Sequence, residues 1–213
     1  MTQPKNAFWR CLYTPGHDAA LVIPLADGWL LKGTAVFGVP EGITAVNYEV
    51  EADDAWVAKR GAIQGFRGDT QFYHAIERTP DGWMLDGRPN GLADLKDLDF
   101  GFTPATNFQQ VSRAKLKVGE RAEFSVAWFD IGKHELLDLP QIYERRDETH
   151  YWYQSPQGGY EAILEMDARG FIRVYPELWQ MERRRSRLRN ADDCRDTSGG
   201  DDDARRVRLY YAE

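Results

Sequence analysis

The chain has 213 residues, of which 42% are hydrophobic and 13% aromatic, so it is long enough to form one domain with a substantial core. Its formal charge is -7, and since residues 182–213 carry nine Arg against eight acids (+1), the rest of the chain carries about -8. That balance argues against a nucleic-acid groove, which needs clustered positive charge, and against adhesion to an anionic membrane surface.

The N-terminal residues and the cysteines predict a compartment. The first ten residues contain no apolar run of signal-peptide length, and no segment approaches the roughly 20 apolar residues of a membrane span. The two cysteines, Cys11 and Cys194, lie at opposite ends of the chain, where two lone thiols make neither a disulfide framework nor a metal site. We therefore expect a cytoplasmic protein with reduced thiols.

The first half of the chain alternates short apolar runs with turn signals. Asp27-Gly28 and Pro40-Glu41-Gly42 separate runs that contain many β-branched residues, which is typical of antiparallel hairpins. Val46, Tyr48 and Val50 alternate with polar residues, so one face of that strand should be buried and the other wet.

A central stretch, residues 97–107, departs from this pattern. The alternation from Leu98 to Phe102 predicts a short strand with one buried face, and Pro104 ends it because proline cannot donate to the ladder. Thr106 or Asn107 can then accept a hydrogen bond from the first turn of a short helix. The stretch predicts a hinge between two strand-rich halves.

In the second half, one predicted strand carries an amphipathic row. Gln141, Tyr143 and Arg145 alternate and so share a face. If that face lines the concave side of a sheet, it forms a pocket wall suited to sugars or phosphates. In the alternative interpretation Arg145 is structural and pairs with an acid such as Asp97 or Asp99, as a buried Arg normally must.

Aromatic residues could form the rest of such a pocket. Rings such as those of Trp128 or Trp179 can stack on a sugar or hold an acyl chain. Packing in the core is the alternative, since seven Trp and ten Tyr are ample for a core by themselves.

The acids Asp97 and Asp99 open an alternative chemistry. Two apart on a strand, they point to the same face about 7 Å from each other, a spacing that can hold a divalent cation or supply an acid/base pair. A salt-bridge or capping role is the structural alternative. No further metal ligands stand at recognisable spacing, because the four histidines are scattered and His134-Glu135 lacks the second His of a zinc protease motif. We therefore predict no metal and no cofactor.

The last residues differ in composition from the body. Residues 182–213 alternate Arg clusters with Asp runs and contain few apolar side chains, so we predict a charged, disordered tail after a domain that spans residues 1–181. The basic segment could touch phosphate or nucleic acid, although the neighbouring Asp runs can neutralise it.

A succession of motifs from about Phe8 to Met181 resembles the bacterial family of putative glycolipid-binding proteins. The motifs that carry the resemblance are residues 97–107, Gly119, Ala127-Trp128, Gln141-Ile142-Tyr143-Glu144-Arg145, Tyr151-Trp152-Tyr153, Ala162-Ile163-Leu164-Glu165-Met166-Asp167, Gly170 and Tyr175-Pro176-Glu177-Leu178-Trp179. The resemblance implies a mainly β fold, a spiral β-roll in which a long antiparallel sheet wraps around a single α-helix. It also implies a homodimer and a glycolipid-like ligand, and it brings no catalytic residues.

Together these observations predict a protein that binds an amphiphilic small molecule in the concave face of a β-roll. Tyr143 and Arg145 would hold its polar head, with Asp99 nearby, and Trp128, Tyr153 and Tyr175 would contact the rest. Two alternatives stay open, namely a hydrolase of phosphate or sugar esters that uses Asp97 and Asp99, and a dimeric interaction module without enzymatic activity.

Overall fold

The computed structural model describes residues 3–40 and 42–182. These residues form fifteen strands and one helix, α1 (Asn107–Ala114), which lies between the ninth and tenth strands. The strands are β1 (Lys5–Cys11), β2 (Gly16–Leu25), β3 (Gly28–Val39), β4 (Gly42–Ala52), β5 (Ala58–Arg67), β6 (Thr70–Thr79), β7 (Gly82–Leu85), β8 (Arg88–Pro89), β9 (Leu98–Phe100), β10 (Arg121–Asp130), β11 (Glu135–Arg145), β12 (His150–Ser155), β13 (Tyr160–Met166), β14 (Ile172–Tyr175) and β15 (Trp179–Met181). The predicted tail lies, apart from Glu182, outside the described residues.

All the strands join in one sheet, with the order β8-β7-β6-β5-β4-β3-β2-β1-β15-β14-β13-β12-β11-β10-β9. Each half of the chain is therefore an antiparallel meander, and the halves join where β1 pairs with β15. At that junction Trp9 lies opposite Met181 and Cys11 opposite Trp179. The short β9 is the exception to the antiparallel rule, because it pairs with β10 in parallel.

Side-chain alternation along β4 gives the sheet an inner and an outer face. Val46, Tyr48 and Val50 are each at most 3% exposed, whereas Asn47 and Glu49 between them are exposed. The predicted alternation is thus confirmed. It buries one face of the sheet in the core, as the hydrophobic effect requires.

The sheet wraps around α1. The ring of Phe108 on the helix lies 5.2 Å from Trp56, which follows β4, and 4.6 Å from Phe171, which precedes β14. The side-chain amide of Gln109 donates to the carbonyl oxygen of Trp56 at 3.2 Å. Because both halves of the sheet pack on one short helix, the prediction of a mainly β roll around a single helix is confirmed for the described residues.

The segment before the helix differs from the sequence prediction. The strand β9 ends at Phe100 and does not reach Phe102, and all three of its residues are buried, so it has no exposed face. The backbone of Thr106 does stand at the N-cap, but its side chain makes no capping hydrogen bond. Its hydroxyl instead accepts from the Phe100 amide (3.2 Å) and donates to a carboxylate oxygen of Asp99 (2.5 Å). The capping role predicted for the Thr106 side chain is therefore wrong. The Asp99 carboxylate and the Phe100 amide together hold the hydroxyl at β9, away from the first turn of α1.

Candidate functional site

The centre of the site is the carboxylate of Asp99, which lies in the middle of β9 and is 6% exposed. One of its oxygens accepts from the Thr106 hydroxyl, and the other accepts from the side-chain amide of Gln141 on β11 at 2.8 Å. Burial raises the pKa of Asp99, and these two hydrogen bonds act in the opposite direction. The carboxyl group thus has neutral partners in an apolar surrounding.

A second group of polar side chains connects α1 to β11, the strand that carries Gln141. The amide nitrogen of Asn107 donates to the Tyr143 hydroxyl at 2.7 Å, and that hydroxyl donates to Gln110 at 2.9 Å. Burial raises the pKa of Tyr143 well above its ordinary value, so the phenol keeps its proton. We call this group the Asp99 network; it consists of Asp99, Thr106, Asn107, Gln110, Gln141 and Tyr143.

Beside the Asp99 network lies a cavity of about 160 Å³, which we call the inner cavity. Asp99 and Asn107 line its polar side. Half of the remaining wall residues are aromatic: Tyr13, Phe100, Trp128, Tyr153, Tyr160, Tyr175 and Trp179. The others include Thr103, Leu139, Ser155 and Leu178. Two buried polar residues and a set of aromatic residues thus line one small space.

Ring–ring contacts hold several of these walls in position. Tyr153 lies 5.8 Å from Tyr175, and Tyr175 lies 5.5 Å from Tyr160, both in edge-on orientation. Trp128 packs over the end of β9, and a side chain at Gly101 would meet its indole at 2.7 Å. The wall formed by Trp128 therefore requires a glycine at position 101.

Four residues that the sequence suggested as ligand-binding line this cavity: Asp99, Trp128, Tyr153 and Tyr175. A fifth, Tyr143, lies one hydrogen bond behind the wall, through Asn107. Sequence reasoning missed Asn107, Gly101 and Tyr160 as parts of the site. Only Asn107 carried a usable signal, since a polar residue in the first turn of a helix that follows a buried strand can turn inward.

Arg145 lies elsewhere. Its guanidinium donates to the carbonyl oxygens of Leu116 (2.9 Å) and Asp147 (3.1 Å) and pairs with the Glu148 carboxylate (3.1 Å). Arg145 is absent from the described residues that line the inner cavity. Its pairing with Asp97 or Asp99, considered from the sequence as an alternative, is wrong, because closer partners in the loops on either side of it satisfy the guanidinium.

Asp97 and Asp99 occupy separate environments. Asp97 is fully buried and forms a two-point ion pair with Arg113 on α1, with contacts of 2.8 and 2.6 Å. Burial raises the pKa of Asp97, while the Arg113 guanidinium favours its charged form. Asp97 is thus held by a cation, whereas Asp99 is held by neutral groups. Within residues 3–40 and 42–182, no group of three or more His, Cys, Asp or Glu side chains is arranged to hold a metal ion.

A larger groove of about 810 Å³ lies on the outer face of the first half of the sheet. A row of six residues in direct cross-strand register crosses its floor: Phe8, Ala19, Thr34, Asn47, Gln64 and Tyr73. Its side chains are largely in solvent; Tyr73, for example, is 60% exposed. We take the inner cavity as the candidate site because it brings buried polar groups and fixed rings together, as small-molecule sites do.

No helix of the described residues combines the length and apolar character needed to cross a membrane.

Comparison with known proteins identifies the family. The crystal structure of a DUF1089 family protein from Pseudomonas aeruginosa, at 1.80 Å resolution, superimposes with a TM-score of 0.66 at 21% sequence identity, covering 84% of this chain and 92% of that one. At that identity the likeness shows the fold alone. A search among curated proteins gave no match. The model of the family described as "Putative glycolipid-binding" matches residues 6–181, and this chain belongs to that family.

Proposed function

We propose that this protein binds a small amphiphile and holds a ring-shaped polar head group, such as a single sugar, in the inner cavity. The observation that carries the proposal is that Asp99, Asn107 and several aromatic residues line one cavity of about 160 Å³. The family description, which names glycolipids, supports the same class of ligand.

The chemistry of the wall suits a sugar ring. The C–H faces of a pyranose pack on aromatic rings such as those of Trp128 and Tyr175, while its hydroxyl groups can bond to Asp99 and Asn107. Burial raises the pKa of Tyr153 and Tyr175, so these phenols also keep their protons and can donate. The cavity thus offers apolar faces and both kinds of hydrogen-bonding group.

The size of the cavity limits what it can enclose. An apolar cavity of about 150 Å³ is known to take one benzene molecule, so about 160 Å³ fits one six-membered ring and no acyl chain. The exposed Gly159 forms part of the wall, next to Ser155. We infer that the apolar part of the ligand leaves the cavity at this turn and stays outside it.

Binding of octyl β-glucoside below its micelle concentration tests the proposal, because this probe joins one sugar ring to one alkyl chain. Isothermal titration calorimetry should detect saturable binding to the wild type. Trp128→Ala should weaken it about tenfold, equivalent to about 1.4 kcal/mol. Trp152→Ala is the matched control, since the Trp152 indole donates to Glu161 on the outer side of the second half and does not line the cavity.

Two outcomes would contradict the proposal. One is the same loss of affinity in Trp128→Ala and Trp152→Ala. The other is an absence of saturable binding combined with an empty protein, as seen by native mass spectrometry after purification from its own host.

The homodimer and the cytoplasmic location stay predictions. Sedimentation velocity over a hundredfold range of protein concentration tests the first, and fractionation of the host tests the second.

A further inference from the structure

Two histidines that are 60 residues apart in sequence meet outside the lining of the inner cavity. His74 lies on β6, and its Nε2 atom is 2.8 Å from Nδ1 of His134 in the turn between β10 and β11. The other nitrogen of His74, Nδ1, lies 2.8 Å from a carboxylate oxygen of Asp86, just after β7. The sequence showed these histidines as isolated residues, and the curvature of the sheet brings them together.

The hydrogen bonds determine where the protons lie when both rings are neutral. Asp86 can only accept, so Nδ1 of His74 carries the proton and Nε2 carries a lone pair. Nδ1 of His134 must then donate to that lone pair. Burial lowers the pKa of His134, with further contributions from the neighbouring His74 and Arg67, which favours the neutral ring.

The surrounding structure holds this geometry in place. His74 packs 5.1 Å from Phe129, and His134 packs 5.1 Å from Phe72. Asp86 is fixed by the amide of Ala75, which donates to its second oxygen at 2.9 Å. Its position therefore depends on the β6–β7 hairpin and not on the histidine alone.

The backbone is also unusual at both ends of the cluster. Asp86 has φ of 52° and His134 has φ of 56°, in the left-handed region, which Asp and His occupy more often than most residues other than glycine. Such conformations persist where surrounding interactions impose them, and they concentrate at functional sites.

We propose that His74 and His134 form a binding site for a divalent transition-metal ion such as Zn²⁺, with Asp86 as the residue that orients His74. The ion would replace the proton between Nε2 of His74 and Nδ1 of His134, and the neutral ring of His134 would then carry its single proton on Nε2. Neutral imidazoles are preferred ligands of Zn²⁺, Cu²⁺ and Ni²⁺. A carboxylate behind a ligating histidine fixes its tautomer and raises its basicity.

The rings must turn so that both lone pairs point at the ion, and the distance between the two nitrogens needs only a small adjustment. Two imidazole nitrogens on one tetrahedral Zn²⁺ lie about 3.3 Å apart, given Zn–N distances of about 2.0–2.1 Å, so the present 2.8 Å must open by about half an ångström. Asp86 stands behind His74 and away from the metal position, so the site offers two protein ligands and water completes the shell. One ligand lies in each half of the sheet, so the bound ion would also join the halves. At present the amide of Asn90, which donates to the Leu136 carbonyl oxygen at 2.6 Å, joins them nearby.

Titration of the full chain with Zn²⁺ tests this site, with calorimetry and thermal unfolding as separate readouts. Zn²⁺ should bind the wild type and raise its unfolding temperature. His134→Asn should lose both effects; asparagine tolerates the left-handed backbone, so the turn should survive. Asp86→Asn should weaken binding about 10- to 100-fold.

His17→Ala and His150→Ala are the matched controls and should bind like the wild type, because His17 stacks on Phe8 and His150 pairs with Asp147. Equal Zn²⁺ affinity in His134→Asn and the wild type would overturn the proposal and assign any bound ion to other parts of the chain. If His134→Asn is unfolded by circular dichroism, His74→Gln serves in its place, and unchanged affinity there would overturn the proposal in the same way.

Discussion

The hydroxyl of Tyr48 lies 3.0 Å from both carboxylate oxygens of Asp18 in the core of the roll. Asp18 is fully buried, and its other partner is the Thr103 hydroxyl, which donates at 2.5 Å from the segment between β9 and α1. The acid therefore links β2, β4 and the hinge before the helix. Only neutral groups surround it, and burial raises the pKa of Asp18 from 3.8 to about 7.

This relationship predicts a specific pH dependence of stability. The folded state binds the Asp18 proton more tightly than the unfolded state does, so the stabilisation is complete below about pH 4 and is lost as the pH rises to about 7. Asp18→Asn should remove this loss and make the variant more stable relative to the wild type at pH 8 than at pH 4, by up to about 4 kcal/mol. Urea unfolding of both proteins between pH 4 and pH 8 measures the difference.

Asp27→Asn is the control for that series, because the Asp27 side chain is 80% exposed and should show no such trend. A pH-independent difference between Asp18→Asn and the wild type would mean that Asp18 keeps an ordinary pKa in the folded protein.

The position of the Tyr48 ring predicts that a side chain at Gly33 on β3 destabilises the fold. The ring crosses the strand above this glycine, and a β-carbon there would lie 2.3 Å from the Tyr48 hydroxyl oxygen and 2.6 Å from the Ala19 carbonyl oxygen. Gly33→Ala should therefore displace Tyr48 and destabilise the fold by about 1–3 kcal/mol. Gly38→Ala on the same strand is the control, since its nearest neighbour would be the Thr14 hydroxyl at 3.3 Å. Equal unfolding midpoints for the two variants would refute the close approach.

The buried ion pair between Asp97 and Arg113 predicts that loss of its arginine costs more unfolding free energy than loss of the arginine of an exposed pair. Arg113→Met leaves the Asp97 carboxylate buried without its cation and should cost about 3–5 kcal/mol of unfolding free energy. Arg121→Met removes a pair with Glu123 in which both side chains are about half exposed, and should cost less than about 1 kcal/mol.

Both arginines also stack on an aromatic ring, Arg113 on Phe124 and Arg121 on Trp152, so the comparison isolates the carboxylate. The double variant Asp97→Asn/Arg113→Met should recover part of the loss, because it no longer buries a charge. If it recovers nothing, the cost belongs to the packing of Arg113.

Substitution of Arg145 distinguishes a role in stability from a role in ligand binding. Its guanidinium joins the Leu116 carbonyl oxygen to the 147–148 loop and lies 5.7 Å from the Tyr151 ring. Arg145→Ala should destabilise the protein by about 1.5–3 kcal/mol and leave octyl β-glucoside affinity unchanged below the unfolding temperature. Arg146→Ala, which removes a half-exposed pair with Glu144, is the control for stability. A folded Arg145→Ala protein that no longer binds the probe would return Arg145 to the ligand site.

Local features of the sequence were enough to predict many of the strands and the helix. The alternation of Val46, Tyr48 and Val50 determines which face of β4 is buried, because side chains in a strand point to opposite sides in turn. Pro104 likewise predicts a break in regular structure, and it lies between β9 and α1. These signals depend on a few neighbouring residues, so they can be interpreted without the rest of the fold.

The partners of the polar residues were decided by the tertiary structure. From the sequence alone, Arg145, Asp97 and Asp99 each had several possible partners. The curvature of the sheet around α1 places Asp97 beside Arg113 and Asp99 beside Gln141. The same curvature joins His74 to His134 across 60 residues. The spacing of residues along a strand determines the face that a side chain occupies. The distance between two residues on different strands depends on how the fifteen-stranded sheet wraps around one short helix. No local pattern in the sequence determines that curvature.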